Sequence, residues 1–110
     1  MEVLAREVLV LETKDGKLPF VEWFDELKDQ SIKKAVDARL TRVADGNFGD
    51  HKSLGDGVFE LRIPRGPGIR VYYGLDENIL VILIAGGDKS SQKKDIKKAK
   101  TLWKEYKNAK

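Results

Sequence analysis

The chain has 110 residues, enough for one modest hydrophobic core and too few for two. It contains no cysteine, which excludes disulfides and thiolate metal sites, and its longest apolar run is far shorter than the roughly 20 residues that a membrane-spanning helix needs. We therefore expect a single soluble domain over residues 1–110, located in the cytoplasm, with neither a secretion signal nor a membrane partner.

The net charge of +3 is unevenly distributed along the chain. Residues 1–60 carry 9 Lys/Arg and 13 Asp/Glu, whereas residues 61–110 carry 12 and 5. An acidic half and a basic half predict two faces with different partners, and the basic half favours a polyanion, nucleic acid before membrane. A basic surface that only contacts solvent is the alternative.

The first half of the chain predicts a strand and two helices. Apolar alternation predicts the strand over Leu4–Glu12. Pro19 suits the first position of a helix, and Ser31 suits the N-cap of the next one. The apolar positions of the two helices recur at helical spacing, namely Phe20, Trp23, Phe24 and Leu27, then Ile32, Ala35, Val36, Leu40 and Val43. They predict a helical hairpin that covers one face of a sheet.

A loop dense in Gly and Asp is predicted over Asp45–Gly57, followed by three strands. Period-two alternation places the first two strands on either side of a turn at Pro64–Gly68. The seven apolar residues Ile79–Ala85 predict a central strand buried on both faces. Gly86–Gly87 is expected to let the chain leave that strand abruptly.

The C-terminal segment predicts a helix, with Ser90 or Ser91 as its cap. Its apolar stripe consists of Ile96, Ala99, Leu102, Trp103 and Tyr106. Nine lysines lie from Lys89 to Lys110, and they indicate either a solvated helix face or direct contact with phosphate. The predicted order β-α-α-β-β-β-α describes an α+β domain with a small, mostly antiparallel sheet.

Four cations converge on one end of this predicted sheet, namely Arg62, Arg65, Arg70 and Lys89. An arginine on a strand is costly unless its head reaches solvent, a carboxylate or a ligand. One alternative is structural pairing of a strand arginine with a carboxylate; the candidates are Glu60, Asp56 and Asp88. The other is a concave site for phosphate, because Arg offers paired planar donors and Lys a point charge. Further neighbours of such a site are Lys52, Tyr72, Tyr73 and Gln92.

The sequence lacks the motifs of familiar hydrolases and nucleotide-binding proteins. One histidine and no cysteine exclude a Cys–His pair and a multi-histidine metal cluster. Neither GxGxxG nor GxxxxGK[ST] occurs. We therefore expect neither a metal ion nor a cofactor.

The segment GVFELRIPRGPGIRVYY, followed by GGDKSSQKKDIKKAK, closely resembles the RelE/ParE superfamily of bacterial toxins. The most similar branch is that of the HigB-like, phage-derived addiction module killer proteins, whose first helix also resembles PFVEWFDEL. The resemblance implies a RelE/ParE-like fold and a type II toxin that is neutralised by a cognate antitoxin, often a helix-turn-helix protein. Because RelE-like members enter the ribosomal A site and cut mRNA there, it also implies mRNA and the ribosome as partners.

The resemblance further implies roles for individual residues. Arg70 and Lys89 match positions that contact the scissile phosphate, and Arg62 and Arg65 match basic positions of the branch. The implied reaction is metal-independent attack of a ribose 2′-OH on its adjacent phosphate, with cations stabilising the phosphorane. The residues assigned to catalysis are Arg70, Lys89 and Arg62, and those assigned to RNA binding are Arg65, Lys52, Tyr72 and Gln92.

The acid–base residue of RelE-like enzymes has no clear counterpart here. Those enzymes place a tyrosine or histidine near the C-terminus, whereas Tyr106 has the spacing of a core residue and His51 lies in the predicted loop. Two alternatives therefore stay open. One is a ParE-like, non-enzymatic inhibitor of DNA gyrase, and the other is a non-toxic RNA-binding relic of the fold.

Overall fold

The computed structural model describes residues 5–77 and 79–109. Its elements are β1 (Glu7–Val10), α1 (Pro19–Glu26), α2 (Gln30–Ala44), β2 (His51–Gly55), β3 (Val58–Ile63), β4 (Ile69–Asp76), β5 (Leu80–Asp88), a short 3₁₀ turn (Lys89–Ser91) and α3 (Gln92–Asn108). The α+β class, the helical hairpin and the C-terminal helix are confirmed. Leu4, where the first strand was predicted to begin, lies outside the described residues.

The five strands form one sheet in the order β1-β5-β4-β3-β2. β2 to β5 are a meander in which each strand pairs antiparallel with its neighbour in sequence. β1 pairs with β5 in parallel, with Glu7 opposite Leu80. The prediction of a small, mostly antiparallel sheet is therefore confirmed.

Helices cover both faces of the sheet, and each face has its own core. α1 and α2 pack on one face, where Phe20, Ile32, Val36, Val43, Leu61, Ile63, Ile69, Val71, Tyr73, Val81 and Leu83 are buried. α3 packs on the other, with Leu11, Val58, Tyr72, Ile82, Ile84, Ala85, Ala99 and Trp103. We call these the hairpin face and the α3 face. Alternate residues of β5 enter opposite cores, which confirms the expected strand buried on both faces.

The predicted loop Asp45–Gly57 contains a strand, β2, so the predicted order lacked one element. Four of the five β2 residues are exposed, and the strand therefore has no apolar alternation to reveal it. β2 joins β3 through a tight turn at Asp56 and Gly57, both of which have positive φ (56° and 81°). An Asp-Gly pair before an alternating strand is a strong hairpin signal. That signal was present in the sequence.

The prediction that the chain leaves its central strand at Gly86–Gly87 is wrong, because β5 continues to Asp88. Both glycines lie under side chains rather than in a turn. A Cβ at Gly86 would lie 2.2 Å from the ring of Trp23, and one at Gly87 would overlap a carboxylate oxygen of Asp95. Close packing, not chain reversal, requires glycine here.

Two predicted caps are also corrected. α2 begins at Gln30 with Asp29 as its N-cap, and Ser31 donates both its N–H and its hydroxyl to that carboxylate (2.8 and 2.6 Å). Ser91 occupies the N-cap position of α3 without accepting a capping bond, and its hydroxyl donates to Asp95 (2.5 Å). The capping carboxylate at this end is that of Asp88, which accepts from the Ser90 N–H. Asp competes with Ser for such positions on equal terms.

Within the described ranges, no helix is both long enough and apolar enough to cross a bilayer.

Candidate phosphate-binding site

Arg62 and Arg70 are direct partners across β3 and β4. Gly87 of β5 continues the same row, and a Cβ there would meet Ser91 and Asp95 beside α3. Alternation along β3 places the Arg62 side chain on the α3 face, since Leu61 and Ile63 both enter the hairpin core. The two predicted catalytic arginines therefore share one face. Like charges directly opposite each other on a sheet are destabilising, so this pair requires a counter-charge.

Glu60 supplies that counter-charge. Its side chain is fully buried. Arg62 Nε donates to Glu60 Oε1 at 2.9 Å, and Arg70 Nε lies 3.5 Å from the same oxygen. The hydrogen bond from Arg62 to Glu60 is the main reason that the pKa of Arg62 is raised above its usual value. The alternative of a structural partner for the arginines is thus realised at Glu60.

Gln92, which was predicted to bind RNA, contacts the same carboxylate from α3. Its side-chain amide donates to both oxygens of Glu60, at 3.2 and 3.3 Å. Glu60 therefore joins β3, β4 and the first residue of α3. We call the four residues Glu60, Arg62, Arg70 and Gln92 the Glu60 cluster.

The Glu60 cluster is buried at its centre and open at its arginine heads. The Arg62 side chain is 38% exposed and that of Arg70 is 14% exposed, against 0% for Glu60. Arg70 Nη1 also donates to the carbonyl of Gly68 at 2.9 Å. Arg62 is therefore held by a hydrogen bond at Nε and Arg70 by one at Nη1, whereas Arg70 Nε forms an ion pair with Glu60 but no hydrogen bond with a described residue.

Lys89 lies next to this cluster and is exposed. A Cβ built at Gly68 would lie 3.0 Å from Arg70 Nη1 and 3.5 Å from Lys89 Cβ, so the β3–β4 turn meets both residues. Gly68 has φ +81°, a conformation that favours glycine. Arg62, Arg70 and Lys89 therefore lie near one another at one end of the sheet.

The remaining candidates lie around the cluster at different depths. Arg65 is exposed in the β3–β4 turn, and Lys52 is exposed on β2, directly opposite Glu60. Tyr72 is fully buried and offers no ring to a ligand, contrary to the predicted RNA contact. Burial is the main cause of the raised pKa of the Tyr72 phenol, followed by the charge of Glu60. Tyr73 enters the hairpin core.

His51 and Tyr106 lie away from the Glu60 cluster. His51 pairs with Leu61, a hairpin-core residue, and the centroids of the His51 and Phe48 rings are 5.6 Å apart. The His51 side chain therefore lies on the opposite face of the sheet from the Glu60 cluster. Tyr106 stacks on Trp103 and donates to Asp76 at 2.9 Å. Asp76 is six residues along β4 from Arg70, or about 20 Å. Neither side chain is placed for proton transfer beside the arginines.

Arg39, which the sequence analysis did not single out, fixes the backbone beneath Arg62. It is 5% exposed, and its guanidinium donates to the carbonyls of Arg62 (2.8 Å), Asp50 (2.6 Å) and Phe48 (3.1 Å). Burial is the main cause of its lowered pKa. Arg39 occupies the apolar stripe of α2 between Val36 and Val43. This position is the one feature of the sequence that indicates a buried arginine.

A separate cleft of about 730 Å³ lies between α1, α3 and the segment before α1. Trp23, Ala85 and Leu102 contribute apolar surface to it. The carboxylates on its lining are those of Asp15, Glu22, Glu26, Asp95 and Glu105. Three lysines also line it, namely Lys14, Lys17 and Lys98, so the carboxylates outnumber the cations by five to three. Such a lining suits a polyanion less well than the Glu60 cluster, which is therefore the candidate phosphate site. Across residues 5–77 and 79–109, no group of three or more His, Asp or Glu side chains is arranged to hold a metal ion.

Comparisons with known proteins cover most of the chain. The family model described as "Phage derived protein Gp49-like (DUF891)" matches residues 22–107, which include the entire Glu60 cluster and Lys89. An uncharacterised protein of Haemophilus influenzae (strain ATCC 51907 / DSM 11121 / KW20 / Rd) is 53% identical over 85 residues, corresponding to 77% of this chain and 86% of that protein.

Proposed function

The chain belongs to the Gp49-like family of phage-derived proteins, which is associated with toxin–antitoxin addiction modules, and from this premise we propose that it inhibits translation by cutting mRNA on the ribosome. The resemblance of residues 57–96 to RelE-like toxins supports this activity. The observation that carries the proposal is the cross-strand pair of Arg62 and Arg70, with Lys89 beside it.

The chemistry of these side chains suits a phosphodiester. A guanidinium can donate two parallel hydrogen bonds to phosphate oxygens, and an ammonium adds a compact charge. Arg70 and Lys89 bind the non-bridging oxygens of the scissile phosphate, and Arg62 adds a third cation. As the ribose 2′-OH attacks phosphorus, the charge on these oxygens rises, so the same contacts become stronger in the transition state than in the ground state.

In this reaction the 2′-O–P bond forms and the P–O5′ bond breaks, leaving a 2′,3′-cyclic phosphate and a 5′-hydroxyl. One proton leaves the 2′-OH and one must reach the 5′-oxygen. His51 lies on the opposite face of the sheet and Tyr106 is bonded to Asp76, so neither serves this transfer. Water or a group of the ribosome carries the proton in the proposed reaction. That role accounts for an activity that depends on the ribosome.

The proposed regulator is a cognate antitoxin protein, of the helix-turn-helix class in the branch that this chain resembles. An acidic segment of that protein would place carboxylates on Arg62, Arg70 and Lys89. Paired carboxylate contacts to arginine use the same donors as phosphate does. Antitoxin and RNA would therefore compete for one site.

Cell-free translation of a defined mRNA tests this proposal, with 5′ ends mapped in the presence and absence of ribosomes. We expect new ends inside the reading frame only when ribosomes translate. Arg70→Ala should abolish them, whereas Arg42→Ala should not, because Arg42 is an exposed arginine of α2 on the other side of the sheet.

Intact mRNA with normal protein synthesis would contradict the proposed activity. A gyrase supercoiling assay on the same preparation then separates the alternatives. Inhibited supercoiling would favour a ParE-like inhibitor, and normal supercoiling a non-toxic RNA-binding relic.

A further inference from the structure

Glu60 is a costly residue at a position where an apolar side chain would pack. In the same row, Tyr72 and Ala85 on one side belong to the apolar core under α3, and the exposed Lys52 of β2 lies opposite Glu60 on the other side. Removing a carboxylate from water costs several kcal/mol, and an apolar residue of similar volume often stabilises such a site. Stability alone therefore does not explain an acid here.

The way in which Glu60 binds its arginines is informative. Its Oε1 accepts a hydrogen bond from Arg62 Nε at 2.9 Å and forms an ion pair with Arg70 Nε at 3.5 Å, which makes no hydrogen bond within the described part of the chain. A contact at Nε fixes the plane of a guanidinium while leaving terminal nitrogens for another partner. Arg70 keeps one further fixed contact, from Nη1 to the Gly68 carbonyl. The carboxylate thus sets the orientation of two heads that would otherwise repel each other.

Gln92 holds the carboxylate itself in place. Its amide donates to both oxygens of Glu60 from the first residue of α3. Rotation of the carboxylate would break these bonds together with the Arg62 contact. The orientation of the arginines is therefore tied to the docking of α3 on the sheet.

We propose that Glu60 is a positioning residue, which holds Arg62 and Arg70 so that both present their outer nitrogens to a single phosphate group. This inference rests on the proposed function, because it concerns the same phosphate. Glu60 is not a general base: its side chain is fully buried beneath the arginines and does not touch the substrate. Glu60 fixes the orientation of the arginines, and its negative charge neutralises one of the positive charges of the site.

The variant Glu60→Gln distinguishes a positioning role from a purely structural one, because it should lower RNA cleavage without weakening RNA binding. The substitution removes one negative charge from the site, so a short single-stranded RNA should bind as tightly as before or more tightly, with a steeper salt dependence. Cleavage should nevertheless fall at least about tenfold, because the arginines no longer meet the phosphorane in fixed orientation. Asp56→Asn is the matched control, since Asp56 pairs with Lys100 at the hairpin tip and Asn tolerates its positive φ.

An NMR measurement checks the positioning without any activity assay. In the ¹⁵N spectrum of the whole chain, the Nε–H signal of Arg62, which is hydrogen-bonded to Glu60, should be slow to exchange in the wild type and fast in Glu60→Gln. Gln92→Ala, which removes only the contact from α3, should give intermediate exchange. Gln92→Ala also serves as the test variant if Glu60→Gln does not fold. Adding Gln92→Glu to Glu60→Gln returns a carboxylate to the cluster and should restore part of the protection.

Unchanged Nε–H exchange in both variants would overturn the proposal. A Glu60→Gln variant that cleaves at the wild-type rate would also overturn it. So would a variant whose cleavage rate no longer falls at acidic pH, because that loss identifies Glu60 as a general base. If the wild type itself cleaves nothing, the proposed function fails. The exchange data and RNA affinity would still decide whether Glu60 orients the arginines.

Discussion

Arg62 on β3 and Arg70 on β4 lie directly opposite each other, and both guanidinium groups meet a single buried carboxylate oxygen. Without a counter-charge, two arginines in this position would repel each other and destabilise the sheet. A neutral or a negative residue at either position would remove the repulsion and also one cation of the proposed phosphate site. Glu60 makes the pair compatible with the fold by supplying its counter-charge.

Arg70→Lys should reduce mRNA cleavage by about 100-fold or more while leaving the fold intact. Lysine keeps the positive charge but replaces the planar fork of donors, which faces Glu60 and the Gly68 carbonyl in fixed directions, by a single point charge. Cleavage of a defined mRNA under ribosome excess measures the effect. Arg42→Lys is the control, and equal activity of the two variants would show that charge alone suffices at position 70.

Tyr72→Phe should leave the protein equally stable at neutral pH or more stable. The Tyr72 hydroxyl is buried without a hydrogen-bond partner among the described residues, and such a group costs about 1–3 kcal/mol. Urea unfolding at pH 7 measures the difference. A marked loss of stability would reveal a partner, such as a bound water, that the phenol needs.

The same variant should change how stability depends on alkaline pH. The pKa of Tyr72 is raised in the folded protein, chiefly by burial, so above about pH 10 the unfolded chain loses a proton that the folded chain keeps. Stability then falls as pH rises, by about 1.4 kcal/mol per pH unit for each such tyrosine. Tyr73, whose pKa is also raised by burial, adds a second contribution. Tyr72→Phe should remove one of the two, which unfolding between pH 9 and 11 would detect.

Arg39→Met should destabilise the protein by about 3 kcal/mol. Methionine fills the space along α2, but three backbone carbonyls lose their donor, and buried polar groups without partners are costly. Chemical denaturation gives the free energy of unfolding. Arg42→Met is the matched control on the exposed side of the same helix. A loss below 0.5 kcal/mol at position 39 would mean that water replaces the guanidinium.

Gly86→Ala should destabilise the protein through its contact with Trp23. The added methyl group would lie 2.2 Å from the indole, so the ring must move. Overpacking of this kind costs about 1–3 kcal/mol. Trp23→Leu in the same chain should recover part of that loss, and a double-mutant cycle measures the coupling. If the effects of the two substitutions simply add, the strain does not arise from the contact between residue 86 and Trp23.

Periodicity predicted most of the fold, and it failed where burial is not periodic. The stripes of α2 and α3 and the central strand β5 were readable because their apolar residues face packed cores. β2 was not, because its side chains are almost all exposed and its place is set by pairing with β3. The prediction that the chain leaves β5 at Gly86 was wrong for a related reason. In the sequence, a glycine that makes room for an indole cannot be distinguished from a turn glycine.

The candidate site was partly accessible from the sequence. Alternation of Glu60, Leu61 and Arg62 places the acid and the arginine on one face, and the pairing of Glu60 with an arginine was among the alternatives. The cross-strand register that unites Arg62 with Arg70 depends on the length of the β3–β4 turn. The contact from Gln92 depends on how α3 docks, which no local pattern reports.

The parallel pairing of β1 with β5 has a consequence for a chain made from its N-terminus onwards. β1 leaves the ribosome well before its partner β5 and the cluster residue Gln92, because about 70 residues separate β1 from β5 in sequence. While residues 1–60 emerge, the growing polypeptide carries mostly acidic segments and has none of the paired arginines. The Glu60 cluster, which is the proposed phosphate site, is therefore complete only after residue 92 has been synthesised.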